Sequence, residues 1–198
     1  MKRIFTLIAA TALTSAAVAQ TMKVYTGHVV TSYAAEALGD ANFNNGTQLT
    51  LQGKTFNTSD IDSIVVDRSQ TAAARTMQVA YANGNTWVTV SGDVASLLNI
   101  AVKGDHVSVV AAPETAEEIT YALGGTATNG SFYMDGHYKS TLRFDNLNLT
   151  NPDSAAVCVD NGKRINVILA DGSTNSLTDG AGGMQKACFF INGHAEIK

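Results

Sequence analysis

The sequence predicts an all-β protein, with a small antiparallel β domain followed by an incomplete right-handed parallel β-helix. Short runs that alternate between apolar and polar residues are frequent, and the 198 residues include 17 glycines but only two prolines. This composition is typical of β proteins with many tight turns. A turn motif that recurs in the C-terminal half supports the helix. The predicted divisions are a signal peptide (1–19), an N-terminal β-strand domain (20–112) and the β-helix (119–198).

The first residues have the pattern of a secretory signal. Lys2 and Arg3 provide a short positive region, residues 4–16 are uncharged and mostly apolar, and Ala17-Val18-Ala19 presents small residues for cleavage after Ala19. The apolar stretch is too short to span a bilayer stably. The protein is therefore expected to be exported to the periplasm, the cell surface or the medium. The alternative is an uncleaved N-terminal anchor.

The charge of the chain argues against nucleic acid as a partner. The formal net charge is −4, and it becomes −6 once Lys2 and Arg3 leave with the signal. No run of five basic residues occurs, whereas neutralising phosphates requires clustered Lys and Arg. An acidic protein of this kind would need a bridging cation to hold an acidic polymer.

Two hairpins are predicted in the N-terminal part. Each consists of two alternating runs that flank a glycine-containing turn; the runs are residues 77–81 with 86–90, and residues 98–102 with 106–110. A small antiparallel sheet is the natural interpretation, with Trp87 expected in its core. The acidic, turn-like residues 113–118 then mark a boundary.

The C-terminal half contains an internal repeat. Residues 132–136, 157–162 and 189–193 share a turn motif that ends in glycine, and those glycines are 26 and 31 residues apart. A repeat of this period, built from short strands and turns, indicates a β-solenoid. An ordinary antiparallel sandwich is the alternative, because its strands also alternate.

The apolar positions in this half form short rows separated by corners. Leu142 and Phe144 precede a corner at Asp145-Asn146, and Leu147 and Leu149 follow it; Ile165, Val167 and Leu169 precede the turn Asp171-Gly172, and Leu177 follows it. In a solenoid such rows stack on those of neighbouring coils. Lys198 falls in the middle of a coil, so the helix is expected to be incomplete. A fragment, a truncated reading frame and a subunit that self-associates end to end are all open alternatives.

These motifs resemble a bacterial family of carbohydrate-binding β-helix proteins, typified by a clostridial surface protein that binds cellulose and acidic pectic polymers. The residues that carry the resemblance are 124–126, 155–157, 161–165, 172–179, 186–188 and Gly193. It implies a fold similar to that of pectate lyases, with bound calcium. Residues 59–64 resemble the β-rich leader segments of secreted Bacteroidetes proteins, which implies nothing about chemistry.

Two tyrosines expected to face outward, and four basic residues near them in sequence, are candidates for carbohydrate contact, since aromatic faces and basic groups suit sugars and uronic acid carboxylates. They are Tyr133, Tyr138, Lys139, Arg143, Lys163 and Arg164. For any one of them an ordinary solvated surface role is the competing interpretation.

The resemblance raises Asp153, Asp171 and Asp179 as candidate calcium ligands, because Ca²⁺ prefers carboxylate, amide and carbonyl oxygens at turns. Without the resemblance, these residues are interpreted as turn residues that satisfy their own backbone. Cys158 and Cys188 leave two alternatives open, a disulfide bond or two half-buried thiols.

No catalytic motif is found in the sequence. The function predicted from the resemblance is non-catalytic binding of a plant-type or acidic polysaccharide, with calcium as a possible aid. Two alternatives stand beside it. One is a β-helix polysaccharide lyase in which the Lys163-Arg164 pair supplies the base, and the other is a structural or adhesive solenoid.

Overall fold

The computed structural model describes residues 20–69, 72–180, 185 and 187–198, so the predicted signal peptide lies outside the described residues. Sixteen strands dominate this part of the chain. They are β1 (Thr21–Thr26), β2 (Val29–Ala34), β3 (Asn42–Asn44), β4 (Gln48–Leu51), β5 (Lys54–Asn57), β6 (Ser63–Asp67), β7 (Thr76–Ala82), β8 (Trp87–Ser91), β9 (Leu98–Lys103), β10 (Asp105–Ala111), β11 (Ile119–Ala127), β12 (Gly130–Gly136), β13 (Ser140–Asn151), β14 (Val157–Leu169), β15 (Ser176–Asp179) and β16 (Phe189–Ile197). The all-β class predicted from the sequence is confirmed.

The helical segments are minor. One short helix, α1 (Gly92–Ala95), and two 3-10 turns, Ala35–Ala37 and Thr58–Asp60, occur among the described residues. None of the described helices has the length and apolar character that a membrane crossing requires.

The strands form two sheets. A large mixed sheet has the order β6-β1-β2-β8-β7-β11-β13-β14-β12-β10-β9, with β15 paired to β13 and β16 paired to β14. A separate three-stranded sheet has the order β3-β4-β5. The large sheet runs without interruption from the N-terminal strands into the C-terminal ones.

Both predicted hairpins are present, since β7 pairs with β8 and β9 pairs with β10, each antiparallel. The expectation of a wholly antiparallel N-terminal sheet is wrong, because β2 pairs with β8 and β7 pairs with β11 in parallel. When a tight turn joins two strands, the residues of that turn indicate in the sequence that the two strands pair. Parallel partners are far apart in sequence, and no local turn signals them.

Strands from successive turns of the chain stack in parallel rows. The first row contains β10, β12, the first part of β14 and the first part of β16. The second row contains β7, β11 and the first part of β13, followed by the later parts of β14 and β16. The third row joins the ends of β11 and β13 to β15.

The bend between the second and third rows lies at the predicted corner. The pairing of β11 with β13 shifts between Gly124 and Gly125, and because of this shift Asn146 pairs with no residue of β11. Asn146 has a φ of 53°, in the left-handed region that asparagine tolerates. Its Oδ1 accepts a hydrogen bond from the Thr174 amide at 3.2 Å, which ties the corner to the next turn of the chain.

The in-register rows place like side chains above one another inside the protein. In the first row, Val107, Phe132, Val157 and Phe189 occupy successive paired positions. The first three are at most 1% exposed, and burying a side chain of this kind contributes about 1.5–3 kcal/mol. Leu149 and Leu177, each of which follows a predicted turn, are paired in the third row.

One continuous core extends across the predicted boundary at residues 113–118. Its buried members range from Met77 on β7 to Val167 on β14. A second, smaller core lies beside the three-stranded sheet and consists of Val24, Tyr33, Leu49, Leu51 and Phe56. The strands on the two sides of residues 113–118 therefore share one core. The division into two domains there remains a prediction from the sequence.

Both cysteines are free thiols in the structure, and each is half-buried. Of the two alternatives left open by the sequence, the structure thus shows the unbonded pair. Burial raises the pKa of the Cys158 thiol, and the neighbouring Asp160 carboxylate raises it further.

Asn161 is the fully buried polar residue at the corner between the first and second rows. Its Nδ2 donates to the Tyr138 carbonyl at 2.8 Å and to the Ser140 hydroxyl at 3.1 Å. Its Oδ1 accepts from the amides of Tyr138 and Lys163 at 3.3 and 3.2 Å. One side chain therefore connects two successive corners of the chain.

We expect the substitution Asn161→Ala to destabilise the protein by about 2–4 kcal/mol, because it leaves buried backbone groups without partners. Asn161→Asp should cost more at neutral pH, since it buries a negative charge and places a carboxylate oxygen against the Tyr138 carbonyl oxygen. Thermal unfolding followed by circular dichroism measures both. Asn148→Ala, at an exposed position of β13, is the control and should change stability by less than about 0.5 kcal/mol. Equal melting temperatures for Asn161→Ala and the control would contradict the stabilising role of the Asn161 hydrogen bonds.

Candidate functional site

A groove runs along the outer face of the second row, with a volume of about 290 Å³. It crosses β7, β11 and β13, which are paired in register. The residues that line it are Gln78, Val79, Ala80, Tyr81, Ala122, Leu123, Gly124, Gly125, Arg143 and Asp145. Side chains on this face alternate with the buried core residues Val79 and Leu123, as the two-residue period of a strand requires.

The floor of the groove is flat because its side chains are small. Ala80 pairs with Gly124, and Ala122 lies two residues before Gly124 on the same face. A Cβ atom on Gly124 would lie 2.6 Å from the Asp145 carbonyl oxygen, and one on Gly125 would lie 2.2 Å from that of Tyr81. Close packing of the strands thus excludes any larger side chain from these two positions.

Arg143 and Asp145 form one wall of the groove. Their side chains make an ion pair at 3.0 Å and are 42% and 45% exposed. The Asn146 Nδ2 donates to Asp145 at 3.1 Å and helps to orient the carboxylate. Together with the exposed amide of Gln78, this wall offers planar hydrogen-bond donors and acceptors above a flat floor.

A second groove, of about 240 Å³, adjoins the first on the same sheet face. It lies over β1, β2, β8 and β7 and shares Gln78 with the first groove. Its charged lining residue, Lys23, forms an ion pair with Asp67 at 3.0 Å. The two grooves therefore form one track that crosses the sheet.

Of the side chains predicted to contact carbohydrate, Arg143 is the one that lines either of these two grooves. Lys139, Lys163 and Arg164 are exposed at the corner between the first and second rows. Lys139 precedes Ser140, which pairs with Ile165, so Lys139 and Arg164 lie side by side. Arg164 also contacts Glu196 at 3.8 Å.

The two tyrosines of the predicted set lie elsewhere. Tyr133 faces outward on β12, in the first row, and is half-buried. The expectation that Tyr138 faces outward is wrong, because its side chain is 3% exposed and its hydroxyl meets that of Tyr121 inside the core. Burial raises the pKa of Tyr138 to about 12. A buried ring offers no face to a polysaccharide.

Two of the three candidate calcium ligands, Asp153 and Asp179, lie at the same end of the third row, because Asn151 pairs with Asp179, whereas Asp171 lies in the turn before β15. Asp153 follows β13, Asp171 follows β14, and Asp179 ends β15. The Asp153 amide donates to the Asn151 side chain at 3.2 Å, the local bonding that turn residues commonly make. Among the described residues, no three His, Cys, Asp or Glu side chains are grouped closely enough to hold a metal ion.

Sequence analysis missed most of the groove. Gln78, Ala122, Gly124 and Asp145 lie at alternating outward positions of paired strands. The alternation was visible in the sequence, but the strands to be aligned come from distant parts of the chain. Trp87 was expected in the core, and it instead lies half-buried at an alternate position to the buried Val88 and Val90.

Comparison with known proteins concerns mainly the C-terminal part of the chain. Residues 103–197 match the model of a family described as "Carbohydrate-binding domain-containing protein". A curated relative of the same description, from Acetivibrio thermocellus, is 31% identical over 98 residues, which cover 45% of this chain and 34% of the relative. The chain spans about a third of the length of that relative.

One solved structure is also similar to this chain. It is described as the structure of the polysaccharide lyase-like protein from C. thermocellum, as a gadolinium derivative. It is 20% identical, with a TM-score of 0.48, and the match covers 62% of this chain and 48% of that chain. Taken together, the sequence matches support a carbohydrate-binding domain family for residues 103–197.

Proposed function

We propose that this protein is an exported, non-catalytic carbohydrate-binding protein, and that the groove of the second row is its binding site. The observation that carries the proposal is the flat, small-residue floor beside the Arg143–Asp145 wall. Six of the ten residues that line the groove fall within the stretch that matches the carbohydrate-binding family: Ala122, Leu123, Gly124, Gly125, Arg143 and Asp145. Export rests on the signal pattern of residues 1–19.

We further propose that the stacked rows are coils of a right-handed parallel β-helix. The in-register parallel pairing of β10 with β12, β12 with β14 and β14 with β16 supports this. Strands joined through parallel crossovers are right-handed in nearly all proteins. In such a helix, each coil contributes one or two outward side chains to the groove, so the binding site extends along the helix axis.

The chemistry of the groove suits binding more than bond cleavage. An elimination or hydrolysis needs a free base or acid beside the substrate. The two charged side chains of the groove, Arg143 and Asp145, are engaged with each other. The Lys163-Arg164 pair considered for a lyase lies at a corner, away from this floor. Polar groups on a flat floor can still fix the orientation of a sugar ring.

We expect Arg143→Ala to weaken glycan binding about tenfold or more, since hydrogen bonds to a charged group contribute about 1.5–3 kcal/mol. Arg164→Ala is the matched comparison, because Arg164 also pairs with an acidic side chain and is similarly exposed, at 50% against 42% for Arg143. Isothermal titration with soluble oligosaccharides measures both. Both ion pairs are exposed, so neither change should cost more than about 1 kcal/mol of stability. A larger affinity loss for Arg164→Ala than for Arg143→Ala would indicate that the binding site lies at the corner between the first and second rows.

Filling the floor should also block binding. Ala122→Phe places a ring in the groove and is expected to abolish measurable retention on polysaccharide affinity gels. Ala101→Phe makes the same change on β9, at an exposed position outside the groove, and should leave retention unchanged. Melting temperatures of both variants within a few degrees of the parent would show that the fold is intact. Full retention by a folded Ala122→Phe variant would contradict the groove as the site.

A glycan panel with and without a chelator separates the candidate functions. We expect retention without any rise in ultraviolet absorbance from unsaturated product, and we expect it to survive chelation because Asp145 is engaged by Arg143. Absorbance from product would favour the lyase alternative. Loss of retention on chelation with recovery in calcium would favour the corner carboxylates over the groove. Absence of any retention would favour a structural or adhesive solenoid.

A further inference from the structure

Trp87 is the single tryptophan of the chain, and it lies on the same sheet face as the two grooves. It is the first residue of β8, in which Val88 and Val90 are buried while Trp87 and Thr89 alternate with them. Thr89 lines the second groove. Since alternate residues of a strand share a face, the indole projects toward the groove side.

The indole is held in a fixed orientation. Its ring meets Tyr25 edge-on at 6.3 Å between centroids and lies 5.1 Å from the exposed His28 ring. The Nε1–H donates to the Asn85 side chain at 3.1 Å. His28 is itself anchored through a 2.9 Å contact between its Nδ1 and the Thr86 carbonyl oxygen. This arrangement positions a half-buried aromatic surface that does not belong to either core.

Strand pairing aligns this aromatic group with the groove. Trp87 pairs with Ala80, Ala80 with Gly124, and Gly124 with Asp145. The cross-strand row therefore reads as an aromatic side chain, two positions of flat floor and a carboxylate. With neighbouring strands about 4.8 Å apart, the backbones of the first and last positions are separated by about 14 Å. The adjacent row, Thr89, Gln78, Ala122 and Arg143, supplies polar groups along the same track.

Resting on the proposed function, we propose that the Trp87 aromatic cluster, which consists of Trp87, Tyr25 and His28, is the second wall of the binding site. We also propose that the ligand is a neutral pyranose chain. Aromatic rings contact the C–H faces of sugar rings, while the polar edges of the sugar meet side-chain amides and charged groups.

The charges of the track favour a neutral ligand over a uronate. Among the described residues that line the two grooves, both cations are already paired, Lys23 with Asp67 and Arg143 with Asp145. A uronate carboxylate would have to displace Asp145 or lie beside it, and two neighbouring anions repel each other. A neutral hydroxyl can instead accept from Arg143 and donate to Asp145 without breaking the pair.

Because the chain has one tryptophan, its fluorescence tests the proposal directly. We expect cellohexaose to change the emission of Trp87 and to protect it from acrylamide quenching, with a weaker response to a galacturonic acid hexamer. Trp87→Ala should weaken cellohexaose binding at least about tenfold by calorimetry, and Trp87→Phe should recover part of it. Phe43→Ala, which removes an exposed aromatic ring of the separate three-stranded sheet, should stay within twofold of the parent.

The outcomes distinguish this inference from the proposed function. The aromatic wall would be overturned if the parent and a folded Trp87→Ala variant bind cellohexaose equally and the emission of the parent does not change on binding. The groove would then remain as the site. Tighter binding of the galacturonic acid hexamer would overturn the neutral ligand class. If neither oligosaccharide binds and no polysaccharide is retained, the proposed function fails, and the aromatic wall fails with it.

Discussion

Parallel, in-register pairing between strands of successive turns is the interaction on which the rest of this structure depends. It sets Val107, Phe132, Val157 and Phe189 in one line and thereby makes the core continuous. Each interior strand of such a stack has its backbone groups bonded to strands on both sides, whereas a strand at either end is bonded on one side. The corners between the strands must then also lie above one another. The side chain of Asn161 connects two of them, since it donates hydrogen bonds to Tyr138 and Ser140 of the preceding corner.

The same register decides what lies outside. Side chains of paired residues point to the same face, so the outward positions of distant strands become neighbours. Ala80, Gly124 and Asp145 are separated by many residues of chain, yet they form one row across β7, β11 and β13. A groove arises here because the middle of the row is small, whereas the outer face of the first row carries the larger side chain of Tyr133. The proposed binding track is thus a consequence of how the strands are paired.

Charge pairing shapes the chemistry of that track. Arg143 taken alone suggested an anionic ligand, because a guanidinium binds carboxylates well. Its partner Asp145, two residues along the same strand, cancels the charge and leaves a neutral wall of donors and acceptors. With Trp87 on the opposite side, the face combines an aromatic surface with paired polar groups. This combination suits a ring that has an apolar face and a hydroxylated edge.

The sequence by itself determined the all-β class, both hairpins and the corner at Asp145-Asn146. These features depend on local turn chemistry and on the two-residue period of strands, both of which can be read within a few residues. Arg143 alternates with the buried Leu142 and Phe144 on β13, in keeping with the alternating pattern of that run.

Only the tertiary structure decided which outward positions meet. Tyr138 follows the repeated glycine and was expected outside, but the chain turns it into the core beside Tyr121. Trp87 was expected inside, but the pairing of β8 with both β2 and β7 places it on the groove face. The physical reason is the same in both cases. Parallel pairing joins strands that are distant in sequence, and a strand pattern specifies two faces without specifying which neighbour covers each one.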